Sequence, residues 1–398
     1  MNAAERIYVA STQAGDTSSR LAEELARRIE DDIAAKNLPV GGALGSLREL
    51  SERYSVGRSV VREAVGLLER RGLGRLRPGP CGGFILATPQ PQAIGEQLAD
   101  YFRATGITLR QLQDAREAID SMAARLAVVE KPPEAAVLRL FVECLDSLSR
   151  DFARADMRGE PETSKQEGSP RTPPAGTLSA AIARELAAEI VRSGSAGARL
   201  GSEWDLCERF NVSRLTLRQA IRLLQDGGLV ECRRGRGNGL VVRDRRASGA
   251  IRLVLAYLIG GKLDPMTAGT LLFQLNCFVP ALAVSRADAG QRQQLEAALT
   301  RVESCDPFDR CDLLGLVHCV SRAADSPIID LFSRCFAAYE ARFRPSLAER
   351  LPASAQASYF KLVRRLLDGF PIGGVSQLEW AKNESSALML DMSFRRPI

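Results

Sequence analysis

Histidine is almost absent from this chain: His318 is the single one among 398 residues. A three-histidine metal site therefore cannot be built, and no metal is expected. Nine cysteines are present, but none forms a C-x-x-C pair and their number is odd. They read as reduced, mostly buried thiols rather than as a disulfide framework. Aromatic residues are few, at 6%. No apolar run approaches the about 18 residues that a membrane span needs. The N-terminus has no basic-then-apolar signal pattern, so the expectation is a cytoplasmic chain without a membrane partner.

Catalytic patterns are missing too. After Arg246 the lysines are Lys262, Lys361 and Lys382, and no strand alternation or phosphate-binding glycine loop surrounds them. No Ser/His/Asp or Cys/His arrangement is suggested. The expectation is a non-enzyme without cofactors. The net charge of +6 is compatible with a nucleic-acid partner but weak evidence for one.

What the chain does have is a repeat of itself. Leu44–Leu86 and Leu200–Val242 align without a gap, and about 17 of about 43 positions are identical. The preceding helices match as well: Leu25, Ile29 and Ile33 correspond to Ile182, Leu186 and Ile190, after a one-residue difference in the connecting turn. Weaker likeness continues downstream, where Tyr101 falls opposite Tyr257.

Spacing gives each copy a shape. In the first, Ser46 and Glu49 form a capping box that starts a short helix. A tight turn, Ser55-Val56-Gly57, leads to a second helix with Val61, Ala64, Val65 and Leu68 on its buried stripe. Arg58 and Arg62, four apart, share the opposite face. Leu73–Arg77 and Phe84–Leu86 then read as two short strands around a Pro- and Gly-rich tip. The second copy repeats the scheme with Ser213 as N-cap. Its core stripe is Leu217, Ala220, Ile221 and Leu224, and Arg214, Arg218 and Arg222 recur along the outer face beside Thr216 and Gln219. Arg233, Arg234 and Arg236 lie in its wing among glycines. Helix, turn, helix and wing in that order is a winged helix-turn-helix. Arginine, Thr and Gln on the outer face of the second helix suit phosphates and base edges.

These residues resemble the GntR family of bacterial regulators, over roughly residues 20–90 and 178–245. The helical bodies resemble the FadR-type subgroup, through segments such as Thr108–Ala127. The resemblance implies DNA contacts at Arg48, Arg58, Ser59, Arg62 and Arg77 in the first head. In the second it implies Ser213, Arg214, Thr216, Arg218, Arg222, Arg234, Gly235 and Arg236. Two departures stand out: Gly57 replaces the usual Ser/Thr, and Trp204 stands where an arginine is usual. The heads are therefore expected to read DNA unequally, with the second contributing more affinity. Many FadR-type bodies hold a metal through Asp and three His, but here His318 is expected in the core or a pocket wall. An organic acid or acyl effector is implied by the family alone, with Asn276, Arg286, His318 and Arg322 as candidate lining.

The expected fold class is mainly α, with α+β heads: two winged helix-turn-helix domains plus all-helical bundle domains. The segments are residues 18–90 (first head), 91–158 (truncated helical body), 159–176 (flexible linker), 177–246 (second head) and 247–394 (helical dimerisation and effector-binding domain). The expected partner is a double-stranded DNA operator, bound by a repressor that is either a homodimer or an intramolecular pseudo-dimer. The competing reading is a protein-interaction module whose winged helices no longer bind DNA specifically.

Overall fold

The computed structural model describes residues 17–36, 38–79, 82–128, 132–156, 178–193, 197–226, 229–232, 239–242, 247–304, 310–344 and 353–368. The fold is mostly helical with two small antiparallel sheets, in agreement with the fold class read from the sequence.

The first head comprises α1 (Thr17–Ala35), β1 (Ala43–Gly45), α2 (Leu47–Tyr54), α3 (Arg58–Arg70), β2 (Gly74–Arg77) and β3 (Gly83–Leu86). Ser46 accepts from the Glu49 amide, and the Glu49 side chain accepts from the Ser46 amide, so the capping box is closed from both sides. Ser55 ends α2 in the left-handed region at φ 52°, and Val61, Ala64, Val65 and Leu68 are buried on α3. Each wing sheet has a third strand that sequence periodicity misses, because three residues are too few to show alternation. In the first head β3 lies between β1 and β2. Gly83 is required there: with φ 148°, a Cβ would come within 2.6 Å of the Gly45 carbonyl.

The second head repeats this order with α7 (Leu178–Ser193), β4 (Arg199–Gly201), α8 (Glu203–Phe210), α9 (Arg214–Asp226), β5 (Val230–Cys232) and β6 (Leu240–Val242). Its core gathers Ile182, Leu186, Ile190, Leu206, Leu217, Ala220 and Leu224 with Leu240 and Val242. These are the positions that align with the first head's core.

Between and after the heads run α4 (Pro91–Thr105), α5 (Leu109–Val128), α6 (Pro132–Asp156), α10 (Ser248–Gly260), α11 (Pro265–Arg286), α12 (Ala289–Ser304), α13 (Arg310–Ala324), α14 (Pro327–Phe343) and α15 (Ala353–Asp368). Two compact units result, and they cut across the segments drawn from sequence. One unit holds both heads with α4, α6 and α10; the other joins α5 to α11–α15.

Inside the first unit the connecting helices cross over. α4, which follows the first head, packs on α7 of the second, and Tyr101 of α4 lies against the second head's core. α10, which follows the second head, packs on α1 of the first as well as on its own α9 and on α4. Arg252 of α10 approaches Glu23 of α1 at 3.5 Å. At Gly260 a Cβ would meet Pro89 at 2.5 Å, so the end of α10 lies tightly against the first head.

In the second unit α11 packs against α13, α14 and α15. By length and composition α11 could cross a membrane, which amends the expectation that no stretch approaches span length. However, 72% of its apolar window is buried among its neighbours, as in the core helix of a soluble bundle. α5 brings Leu112, Ala115, Ala118, Ile119 and Met122 to this unit as a buried stripe.

Two polar clusters hold the first unit. Arg71, just after α3, is buried and donates to Glu30 at 2.8 Å and Glu23 at 2.9 Å, both on α1. Burial opposes its charge, but the two carboxylates outweigh burial and hold the guanidinium protonated. The sequence offers no cue to this cluster, because one of two consecutive arginines, Arg70 and Arg71, gives no sign of turning inward. The second cluster centres on Arg103 of α4, which donates to Asp100, Asp151, Glu96 and Ser147. Burial pushes the Asp100 carboxyl up to about 6, against the pull of Arg103 and with help from nearby Glu96.

Removing the buried cation in Arg71→Met should cost about 3–5 kcal/mol in denaturant unfolding, since carboxylates would stay buried without it. The exposed Arg209–Glu189 pair gives the contrast: Arg209→Met should cost under about 1 kcal/mol. Asp100 has a pH signature. Its folded pKa is raised, so its contribution is fully present below about pH 4, is lost as the pH rises through about 6, and above that the buried charge costs stability. Asp100→Asn should therefore raise the melting temperature most at pH 7.5, less at pH 4.5 and not at all near pH 3; an equal shift at all three would contradict the assignment.

Candidate nucleic-acid interface

In each head the second helix of the helix-turn-helix presents one face to its core and the other to solvent. On α3, Arg58, Ser59, Arg62 and Glu63 are exposed while Val61, Ala64 and Val65 are buried. On α9, Arg214, Leu215, Arg218, Gln219 and Arg222 are exposed while Leu217, Ala220 and Ile221 are buried. The arginine rows thus face outward, as four-residue spacing on a helix requires.

The start of each helix differs. Ser213 caps α9 by accepting from the Thr216 amide at 3.2 Å, and its hydroxyl lies 2.9 Å from that of Thr216. Gly57 stands at the same place before α3 and makes no side-chain cap bond. The second head therefore has the better-fixed first turn. A capping box also starts α8, where Ser202 accepts from the Asp205 amide and Asp205 accepts from the Ser202 amide. These bonds hold the Asp205 carboxyl below the usual carboxylate range.

The first helix of each pair contributes to the same face. In the first head Arg48 is exposed and pairs with Glu52 at 2.9 Å, a solvated contact that phosphate can replace. In the second head Arg218 pairs with Glu203 of α8 at 2.7 Å. The Arg214 guanidinium sits 5.5 Å from the centroid of the Trp204 ring. Glu203 and Trp204 thus hold two rungs of the arginine ladder in place. Trp204 is 58% exposed and Leu215 69%, so this face also carries apolar surface. In the sequence Trp204 reads only as a missing arginine, and Leu215 draws no notice beside its charged neighbours. A signal is present all the same: Leu215 lies off the buried stripe of α9.

In the first wing Arg75 and Arg77 are exposed, and the Glu69 carboxylate accepts from the Leu76 amide, tying the wing to α3. Arg234, Gly235 and Arg236 of the second wing lie outside the described residues. Among the described residues of that wing, Cys232 is exposed at the end of β5.

The four candidate effector residues do not form one set. Arg286 is almost fully covered and committed: it donates to Asp114 of α5 at 2.6 Å and to the Ala324 carbonyl at 2.7 Å. Asn276 is half-buried on α11. His318 and Arg322 are not covered as a pocket wall would be: both are exposed. The placement of His318 in a core or pocket wall is therefore corrected. The buried side of α13 is Leu316, Val320, Ala323 and Ala324, and position 318 falls on the other side of the helix. Among the described residues no group of His, Cys, Asp and Glu could hold a metal ion.

Comparison with known proteins places the two heads. The family model for bacterial regulatory proteins of the gntR family matches twice, at residues 21–80 and 178–240. An HTH-type transcriptional regulator named RmpR, from Mycobacterium gastri, is 34% identical over 108 residues, covering 27% of this chain and 39% of that protein. An uncharacterized HTH-type transcriptional regulator of Mycobacterium tuberculosis is 35% identical over 113 residues, covering 28% of this chain and 45% of that protein. The chain therefore spans less than half the length of either relative. Among solved structures, a GntR protein of Streptococcus agalactiae aligns at 21% identity with a TM-score of 0.35, over 55% of this chain and all of that one. A transcriptional regulator GntR of Rhodococcus sp. RHA1 aligns at 19% identity with a TM-score of 0.23, over 55% of this chain and 96% of that one. By the double family match, the two winged segments of this chain are each similar to the gntR family of bacterial regulatory proteins.

Proposed function

We propose that the chain is a cytoplasmic, sequence-specific DNA-binding transcription regulator of the FadR-type subgroup, in which duplication has placed two heads in one polypeptide. Operator occupancy is its mechanism, and repression follows when the operator overlaps a promoter. The observation that carries this reading is that each head turns an exposed arginine row outward from a helix seated on its own core. A solvated arginine face on an ordinary helix would not need to recur with the same cap, turn and wing.

The crossed connecting helices support the pseudo-dimer form of this reading. α4 leaves the first head to pack on the second, and α10 leaves the second to pack on the first. Reciprocal packing of this kind is what a twofold dimer interface produces. Here both partners belong to one chain, so binding of one head raises the effective concentration of the other without a second molecule. The second head contributes more affinity, since it keeps the serine cap, three arginines on α9 and an arginine-rich wing sequence. Control by an organic acid or acyl effector would act through the second unit, where Arg286 is already engaged with Asp114.

Arg218→Ala should weaken operator binding by about 1–3 kcal/mol at fixed salt and lower the dependence on salt by about one counterion. Unchanged binding in an electrophoretic shift with nonspecific competitor would favour the interaction-module alternative. Sedimentation of the protein–operator complex should give one chain per two-part operator. Two chains per duplex would point instead to a homodimer carrying four heads.

A further inference from the structure

The two heads carry different chemistry at matching positions. Where α3 has Ser59 and Glu63, α9 has Leu215 and Gln219; where α2 has Arg48, α8 has Trp204. Ser59, Glu63, Leu215 and Gln219 are all exposed, so none of the four is explained by its own core. Leu215 is the most exposed of the large apolar side chains among the described residues, at 69%. It sits in the first turn of α9, the part of a recognition helix that meets base edges. Arginines surround it, with Arg214 beside it and Arg218 within one turn. Leu215 and Trp204 are only two large side chains in that basic surround, whereas an apolar protein-docking patch extends over several hundred Å².

In the major groove the T methyl is the one apolar feature that a base edge offers, and only a side chain such as Leu215 gains from covering it. Gln219 follows Leu215 by four residues, so both point from one side of α9. A glutamine amide matches the adenine N6/N7 edge, whereas a carboxylate such as Glu63 accepts from cytosine N4.

We infer that the operator has two unlike half-sites: the second head reads A·T pairs through Leu215 on a thymine methyl and Gln219 on adenine, and the first head reads a C·G pair through Glu63. This rests on the DNA-binding reading above and extends it to which bases each head selects. One chain with two heads can serve an asymmetric operator, which a symmetric homodimer of one-headed subunits cannot do with equal fit.

The test starts from duplexes selected out of a random pool by the full-length chain. Replacing thymines one at a time by deoxyuridine removes only the methyl group. Affinity should fall about fourfold at a thymine in one half-site and stay level throughout the other. In Leu215→Ala the same replacement should have no effect, closing a double-mutant cycle between side chain and methyl. Gln219→Glu, which installs the first head's residue, should shift selection in that half-site from adenine to cytosine. Both substitutions fall on exposed positions, and an unchanged melting temperature would establish that folding is intact. The inference is overturned if deoxyuridine is tolerated everywhere, if its effect persists in Leu215→Ala, or if selection returns a palindrome. Failure to enrich any duplex over the random pool would instead remove the DNA-binding reading itself.

Discussion

The placement of the two heads depends on the burial of α4 and α10 against the opposite head. Each of these helices carries buried apolar residues, Ile94, Leu98 and Phe102 on α4 and Val254, Leu255 and Leu258 on α10, and each packs on the opposite head. Water makes an uncovered stripe costly, at roughly 25 cal/mol per Å² of apolar surface. Crossing over removes that cost on both sides and joins the heads through packed interior rather than through a tether. The polar clusters then fix direction where apolar contact cannot. Arg71 locks the end of α3 to α1, and Arg103 ties α4 to α6.

The same arrangement gives the heads unequal surroundings, and the sequence has drifted accordingly. Glu23, Glu30 and Arg71 of the first head correspond to Ala180, Ala187 and Gly227 in the second, so the buried ion cluster exists in one copy only. Conversely, the serine cap and the Trp204–Arg214 contact belong to the second copy. Duplicated heads under separate constraints need not keep one recognition chemistry. The first head is pinned internally by its ion cluster, and the second carries the side-chain cap at the start of its recognition helix.

Much of each head is legible in the amino-acid sequence. Residue types recur at fixed positions through cap, turn, helix and wing, and each such signal is local: Ser46 and Glu49, Ser213, and the stripes on α3 and α9 fall where periodicity puts them. The third strand of each sheet is not legible, since β1 and β4 are three residues long and bury a single leucine each. Nor is the inward turn of Arg71, or the outward turn of His318. Each depends on which face of a helix a distant element covers.

Sequence alone determined that the chain holds two similar winged units with arginine on their outer faces, because caps, turns and helical periods are written within a few neighbouring residues. It did not determine that α5, drawn from the first copy, would join α11–α15, or that α4 and α10 would exchange heads. Hydrophobic burial is non-directional: an apolar stripe announces that it needs a partner without naming one. Only the tertiary structure, with pairs such as Arg286–Asp114 and Arg252–Glu23 to mark the register, decided which surfaces met.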